Sequence, residues 1–174
     1  IMALSKIDAA NFLTGTIPSG NIATSSLAAA ATGKVLQCVS TTSATQYSTT
    51  STSMVALSPG ITISITPSST SSKVLLNCSL AFGANNAQPR FTIYRAGSDL
   101  IPSGVSIFAG TFSPDQYELQ NSAFNYLDSP STTSSTSYEL YWRSDGGTTV
   151  YLGRRANDTV MTIPTTITLM EIGA

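Results

Sequence analysis

From Ile61 onward, apolar residues alternate with serine and threonine again and again, and that period of two dictates a β fold. In Ile61-Thr62-Ile63-Ser64-Ile65-Thr66, the isoleucines fall on one face and the hydroxyls on the other. In Lys73–Phe82, Val74, Leu76, Cys78, Leu80 and Phe82 share a face. No stretch carries a convincing helical period. Short alternating runs broken by Pro, Gly and Asn are the pattern of an antiparallel sandwich or barrel.

The remaining strands follow from the same signals. Gly33–Ser40 opens the series, and Thr41–Ser53 reads as a loop with a short strand inside it. Pro67–Ser72 turns the chain, and Gly83–Pro89 is a loop by composition. Arg90–Arg95 and Leu100–Phe108 flank the hairpin signal Ala96-Gly97-Ser98-Asp99. A polar loop around Pro114 leads to Ser122–Leu127, and Asp128–Ser137 makes the next connection. Tyr138–Ser144 is expected to pair with Thr148–Gly153 across Asp145-Gly146-Gly147. Arg154–Pro164 then leads to the closing strand Thr165–Ile172.

Ahead of Gly33 the pattern disappears. Residues 1–32 hold no long apolar face and read as an extended stalk or anchor, with residues 33–174 as the head. The alanine run Ala28–Ala31 suits close approach of chains near an axis or a plain linker. Only 10% of residues are charged, against about a quarter in ordinary domains, so the polar faces carry hydroxyls. The net charge is −1 and the basic residues are scattered, which argues against nucleic acid. No apolar run approaches the roughly 20 residues of a membrane span.

Groups able to do chemistry are few. The chain has no histidine, which removes the commonest general base and most zinc sites, so no catalytic, metal or cofactor residue is assigned. Cys38 and Cys78 lie in expected strands without CxxC spacing; a buried pair of free thiols is the leading reading, a disulfide the next. Asp115 and Glu118 sit in a loop and read as solvated carboxylates. Asn77-Cys78-Ser79 and Asn157-Asp158-Thr159 match the glycosylation acceptor pattern, which has no use in a protein made in bacterial cytoplasm. Trp142 shares a face with Tyr138 and Leu140, as a core anchor or an interface aromatic. Arg154-Arg155 with Asn157 and Asp158 form the densest charged cluster.

The order KVLLNCSLAF, RFTIYRAGSDLIP, AFNYLDSP, TSYELYWRS and TTITLMEIGA resembles the jelly-roll heads of the tumour-necrosis-factor and complement-head superfamily. GKVLQ, ISITPSSTSSK, NYLDSP and the terminal MEIGA resemble C-terminal domains of tail fibres and other structural proteins of marine bacteriophages. The leader MALSKIDAANFLTGTIPSGNI resembles phage virion-protein N-termini. The resemblance implies an all-β antiparallel jelly-roll sandwich, a homotrimer, a virion location on tail fibre or capsid, and attachment to other virion proteins through the N-terminal segment. It implies no enzyme.

If strand A runs outward from Gly33, antiparallel alternation sends Thr41–Gly60, Gly83–Pro89, Ala109–Asn121 and Asp145–Pro164 to one end. The shorter Pro67–Ser72, Ala96–Asp99 and Asp128–Ser137 go to the other. Recognition concentrates on long loops carried by a rigid scaffold. Asn85, Asn86, Gln88, Arg154, Arg155 and Asp158 are therefore the expected receptor-binding rim, facing a host-surface glycan or protein. The alternative is a structural role, as capsid decoration or head fibre, with no ligand.

Overall fold

The computed structural model describes residues 35–101 and 108–173. The expected stalk, its alanine run, and most of the expected Leu100–Phe108 strand lie outside the described residues. Among those described there is no helix; eleven strands form two antiparallel sheets. They are β1 (Val35–Ser43), β2 (Tyr47–Thr49), β3 (Val55–Ala56), β4 (Thr62–Ile65), β5 (Lys73–Ala84) and β6 (Pro89–Arg95). They continue as β7 (Ser98–Asp99), β8 (Gln120–Asp128), β9 (Thr136–Ser144), β10 (Val150–Leu152) and β11 (Thr165–Ile172).

The pairing is nested. The first strand pairs with the last (β1–β11), then β4 with β9, β5 with β8, and β6 with β7. That nesting is a jelly roll, with β1, β11, β5 and β8 in one sheet and β4, β9, β6 and β7 in the other. The tight β6–β7 hairpin turns on Ala96-Gly97, with φ of 47° and 80°, the left-handed pair that a two-residue primed turn requires.

One expected pairing is overturned. Thr148–Gly153 does not fold back on Tyr138–Ser144; its strand, β10, joins the opposite sheet between β5 and β2. Both edges of β9 are already occupied, by β6 over residues 138–144 and by β4 and β3 over residues 136–142. β5 is longer than β11 can cover, and its residues 82–84 leave an open edge that β10 fills. β10 and β11 thus run the same way along one edge of β5, with residues 153–164 looping out between them.

Alternation builds the core as expected. Ile61, Ile63 and Ile65 are buried, as are Val74, Leu76, Cys78, Leu80 and Phe82. Trp142 is a core residue, 2% exposed, with its ring 5.9 Å from Phe91, which in turn lies 5.5 Å from Phe82. The two thiols are free but not a buried pair. Cys78 points inward, where burial pushes its thiol up to about 12. Cys38 falls on the outward phase of β1 with Ser40 and Thr42 and is exposed.

Candidate functional site

β1, β5 and β9 all run toward one end of the sandwich and β4, β6, β8 and β11 away from it, as their registers require. The four long connections meet there and are stitched together by hydrogen bonds, three of the links through the backbone and one through the Gln46 side chain. Asp145 N donates to Gln88 O at 2.9 Å, joining the β9–β10 and β5–β6 connections. Ala87 and Ser113 exchange N–H···O bonds of 3.3 and 2.9 Å, and Asn157 N donates to Gln116 O at 3.0 Å. Gln46, after β1, donates its amide to Thr162 Oγ1 at 2.7 Å and Thr159 O at 3.1 Å. The loops therefore form one interconnected surface. The short turns lie at the opposite end, where Ala96 N donates to Ser137 O at 2.9 Å.

The six residues expected to form the rim all lie at this loop end, in differing states. Asn85 and Asn86 are exposed, and Asn86 has φ of 53°, a left-handed conformation that asparagine tolerates. Gln88 is half-buried and its backbone carbonyl is engaged by Asp145. Arg154 donates to the carbonyls of Arg155 (2.9 Å) and Ala156 (3.1 Å), and its guanidinium stands 4.3 Å over the Tyr151 ring. Arg155 and Asp158 form an ion pair at 2.6 Å, and Asp158 also accepts from Asn157 Nδ2 and Val160 N. The Arg155 guanidinium accordingly holds the Asp158 carboxyl below its ordinary range. The charged groups of the 154–158 segment thus shape their own loop.

The sequence reading overlooked an apolar component. Phe112 (51% exposed), Tyr117 (58%), Val160 (84%) and Met161 (44%) stand on the β7–β8 and β10–β11 connections of this same end. The available signal was local: a lone aromatic in Thr111-Phe112-Ser113, and an apolar pair in Thr159-Val160-Met161-Thr162, inside otherwise polar loops. The surface combines amides, hydroxyls and exposed rings.

Gly83 seats the 154–156 segment on β5. A Cβ at this position would lie 2.6 Å from Arg155 Cα, 2.8 Å from Arg154 O and 2.9 Å from Ala156 N, all backbone atoms with little room to yield. Gly83→Ala is expected to push that segment off the sheet and cost about 1–3 kcal/mol through overpacking. Amide exchange checks this: Asn157 N–H should lose protection while the β5–β8 ladder keeps it.

Asp115 and Glu118 serve their own turn: Asp115 Oδ1 accepts from Tyr117 N at 2.9 Å, and Glu118 Oε2 from Gln120 Nε2 at 3.0 Å. Among the described residues no group of three or more acidic or cysteine side chains gathers around a point that could hold a metal ion.

No family model and no curated protein matches this sequence. Among solved structures, the chain is similar to the crystal structure of the infectious bursal disease virus VP2 subviral particle, at 18% identity and a TM-score of 0.38. The match covers 91% of this chain and 42% of that one, so the chain spans less than half of the viral protein's length.

Proposed function

We propose that the chain is a bacteriophage virion structural protein: a homotrimeric tail-fibre head whose loop end binds a host-surface receptor, a glycan above all. The N-terminal segment would join it to other virion proteins. The observation that carries the reading is the gathering of every long connection at one end of a rigid jelly roll, with short turns at the other. The exposed groups there suit a sugar. Asn85 and Asn86 offer both donors and acceptors, while Phe112 and Tyr117 offer ring faces for the apolar side of a pyranose.

A structural role without a ligand, as capsid decoration or head fibre, has one observation in its favour: Arg154, Arg155 and Asp158 are engaged with their own loop. Adsorption separates the two readings. Virions carrying Phe112→Ala with Tyr117→Ala should adsorb to host cells at least tenfold more slowly, with thermal unfolding of the protein unchanged because both rings are exposed. Arg154→Ala with Arg155→Ala should slow adsorption too, by releasing the loop. Full adsorption by both variants would leave the structural role as the answer.

A further inference from the structure

One pair of cations on the surface has too little acid to neutralise it. Arg90 of β6 and Arg143 of β9 stand directly opposite each other in the register, on the outer face of their sheet. Like charges so placed repel, and the pairing costs the sheet stability. Asp145 alone answers them, with Oδ2 on Arg90 Nη2 and Oδ1 at 3.3 Å from Arg143 Nη2. Arg143 adds one bond, from Nη1 to Thr52 O at 3.3 Å. Each guanidinium has further N–H donors, and the Nε atoms of both meet no acceptor among the described residues. Water still reaches both side chains, which are 26% and 34% exposed. The other described arginines are committed: Arg95 to Asp128, Arg155 to Asp158, and Arg154 to two carbonyls and the Tyr151 ring. Lys73 lies at the opposite end, at the start of β5, and donates to Ser129 Oγ.

We infer that Arg90 and Arg143 form an anion subsite of the receptor-binding end, taking the carboxylate of an acidic sugar. The inference rests on the receptor reading and gives that receptor a chemical class. Two guanidiniums and one carboxylate leave a positive charge, and the guanidinium fork matches a second carboxylate through paired hydrogen bonds. Place agrees. β9 reaches the loop end at Arg143 and β6 leaves it at Arg90, while Asp145 N holds Gln88 O beside the exposed Asn85 and Asn86. The pair is thus continuous with the rim. One row in from the arginines stands Tyr141, stacked on Tyr94 of the next row with ring centroids 3.8 Å apart, both half-buried. Aromatic surface therefore begins roughly 7 Å from the arginines, near enough for one acidic pyranose to touch both. The acids of this face stand beside and beyond the tyrosines: Asp99 accepts from Thr92 Oγ1 and Ile101 N, and Glu139 lies opposite Tyr94. They give the face a polarity, with the sugar carboxylate toward the arginines and its hydroxyls toward the acids.

Calorimetric titration of the full chain with an oligoglucuronate tests the subsite. Binding should weaken as salt is raised, and a neutral glucose oligomer of equal length should bind at least tenfold more weakly. Arg90→Gln with Arg143→Gln should weaken oligoglucuronate binding at least tenfold while the protein keeps a cooperative unfolding transition. Asp145→Asn is the sharper variant, because it removes the resident competitor for both guanidiniums. It should bind the oligoglucuronate at least threefold more tightly, a gain that a cluster serving only the fold would not produce. A wild type that does not bind the oligoglucuronate would overturn the subsite. So would binding that survives loss of both arginines, no gain in Asp145→Asn, or inorganic sulfate binding as tightly as the sugar. The receptor reading fails separately: it stands if Phe112→Ala with Tyr117→Ala still slows adsorption.

Discussion

Asp128→Ala is expected to destabilise the fold by about 3 kcal/mol, because it removes the acceptor at the centre of a buried polar clamp. Asp128 ends β8 and is 5% exposed. Its carboxylate accepts Arg95 Nη1 at 2.8 and 2.9 Å, from the end of β6, and Tyr138 Oη at 2.7 Å, from β9. One side chain thus ties one sheet to two strands of the other. Burial, reinforced by the bond to Asp128, pushes the Tyr138 hydroxyl well above its ordinary range, so at any working pH it stays a donor. Without Asp128 that donor is stranded in the core. Arg95 retains a longer bond to Ser129 O and some access to water, which keeps the cost below that of a fully buried pair. Urea denaturation measures the loss, and Asp128→Ala with Tyr138→Phe tests its origin. Removing donor and acceptor together should recover part of it, because an absent hydroxyl needs no partner. A loss under 1 kcal/mol in the single variant would mean that the clamp does not support the fold.

Alternation made the strands legible. Ile61, Ile63 and Ile65, and the long run from Val74 to Phe82, place themselves because a period of two leaves one face for the core. The split of long and short connections between two ends was legible too, since antiparallel strands reverse direction one by one. Pairing partners were less so. Asp145-Gly146-Gly147 has the local signature of a hairpin, yet a turn specifies only that the chain reverses, and the strand after it goes where an edge is vacant. β9 had none to offer. Local pattern says nothing about edge occupancy, which is settled by strands distant in the sequence.

The loop end shows the same division. Its location was readable, but the state of each side chain was not. Arg154, Arg155 and Asp158 look like free charges in the sequence and turn out to be bonded to one another's loop. Phe112, Tyr117, Val160 and Met161 look like ordinary apolar residues and are left in water, because they stand on loops beyond the end of the strands and lack the sheet phase that would turn them into the core. Cys38 was misjudged for a related reason. Being in a strand does not say which phase faces the core, and β1 turns Val39 inward and Cys38 outward.

Glu171 should make stability fall as the solution is acidified from about pH 4.5 toward pH 2, and Glu171→Gln should remove most of that dependence. On β11 it occupies the inward phase of Ile167 and Leu169, 1% exposed, where an apolar residue would be expected. Burial alone would raise its carboxyl. Ser68 Oγ at 2.6 Å, Ser68 N at 2.7 Å and Gln37 Nε2 at 2.7 Å outweigh that and hold it at about 2, against an ordinary value of 4.5. Between these values the unfolded chain takes up a proton that the folded chain refuses. The carboxylate's contribution is therefore complete above 4.5 and is lost as pH falls through 2. Asp145, held low by Arg90, and Asp158, held low by Arg155, add acid sensitivity to any variant, so the informative quantity is a difference. At pH 7 the glutamine variant should be less stable by about 1–3 kcal/mol, since its amide turns two donors toward groups that themselves donate. That gap should close as pH drops from 5 to 2, because the wild-type carboxylate is being neutralised while the amide does not titrate. Urea melts of both proteins at pH 7, 4 and 2.5 measure it, and a gap of constant size would show that the buried charge of Glu171 does not hold the β11 end to the Pro67–Ser72 turn.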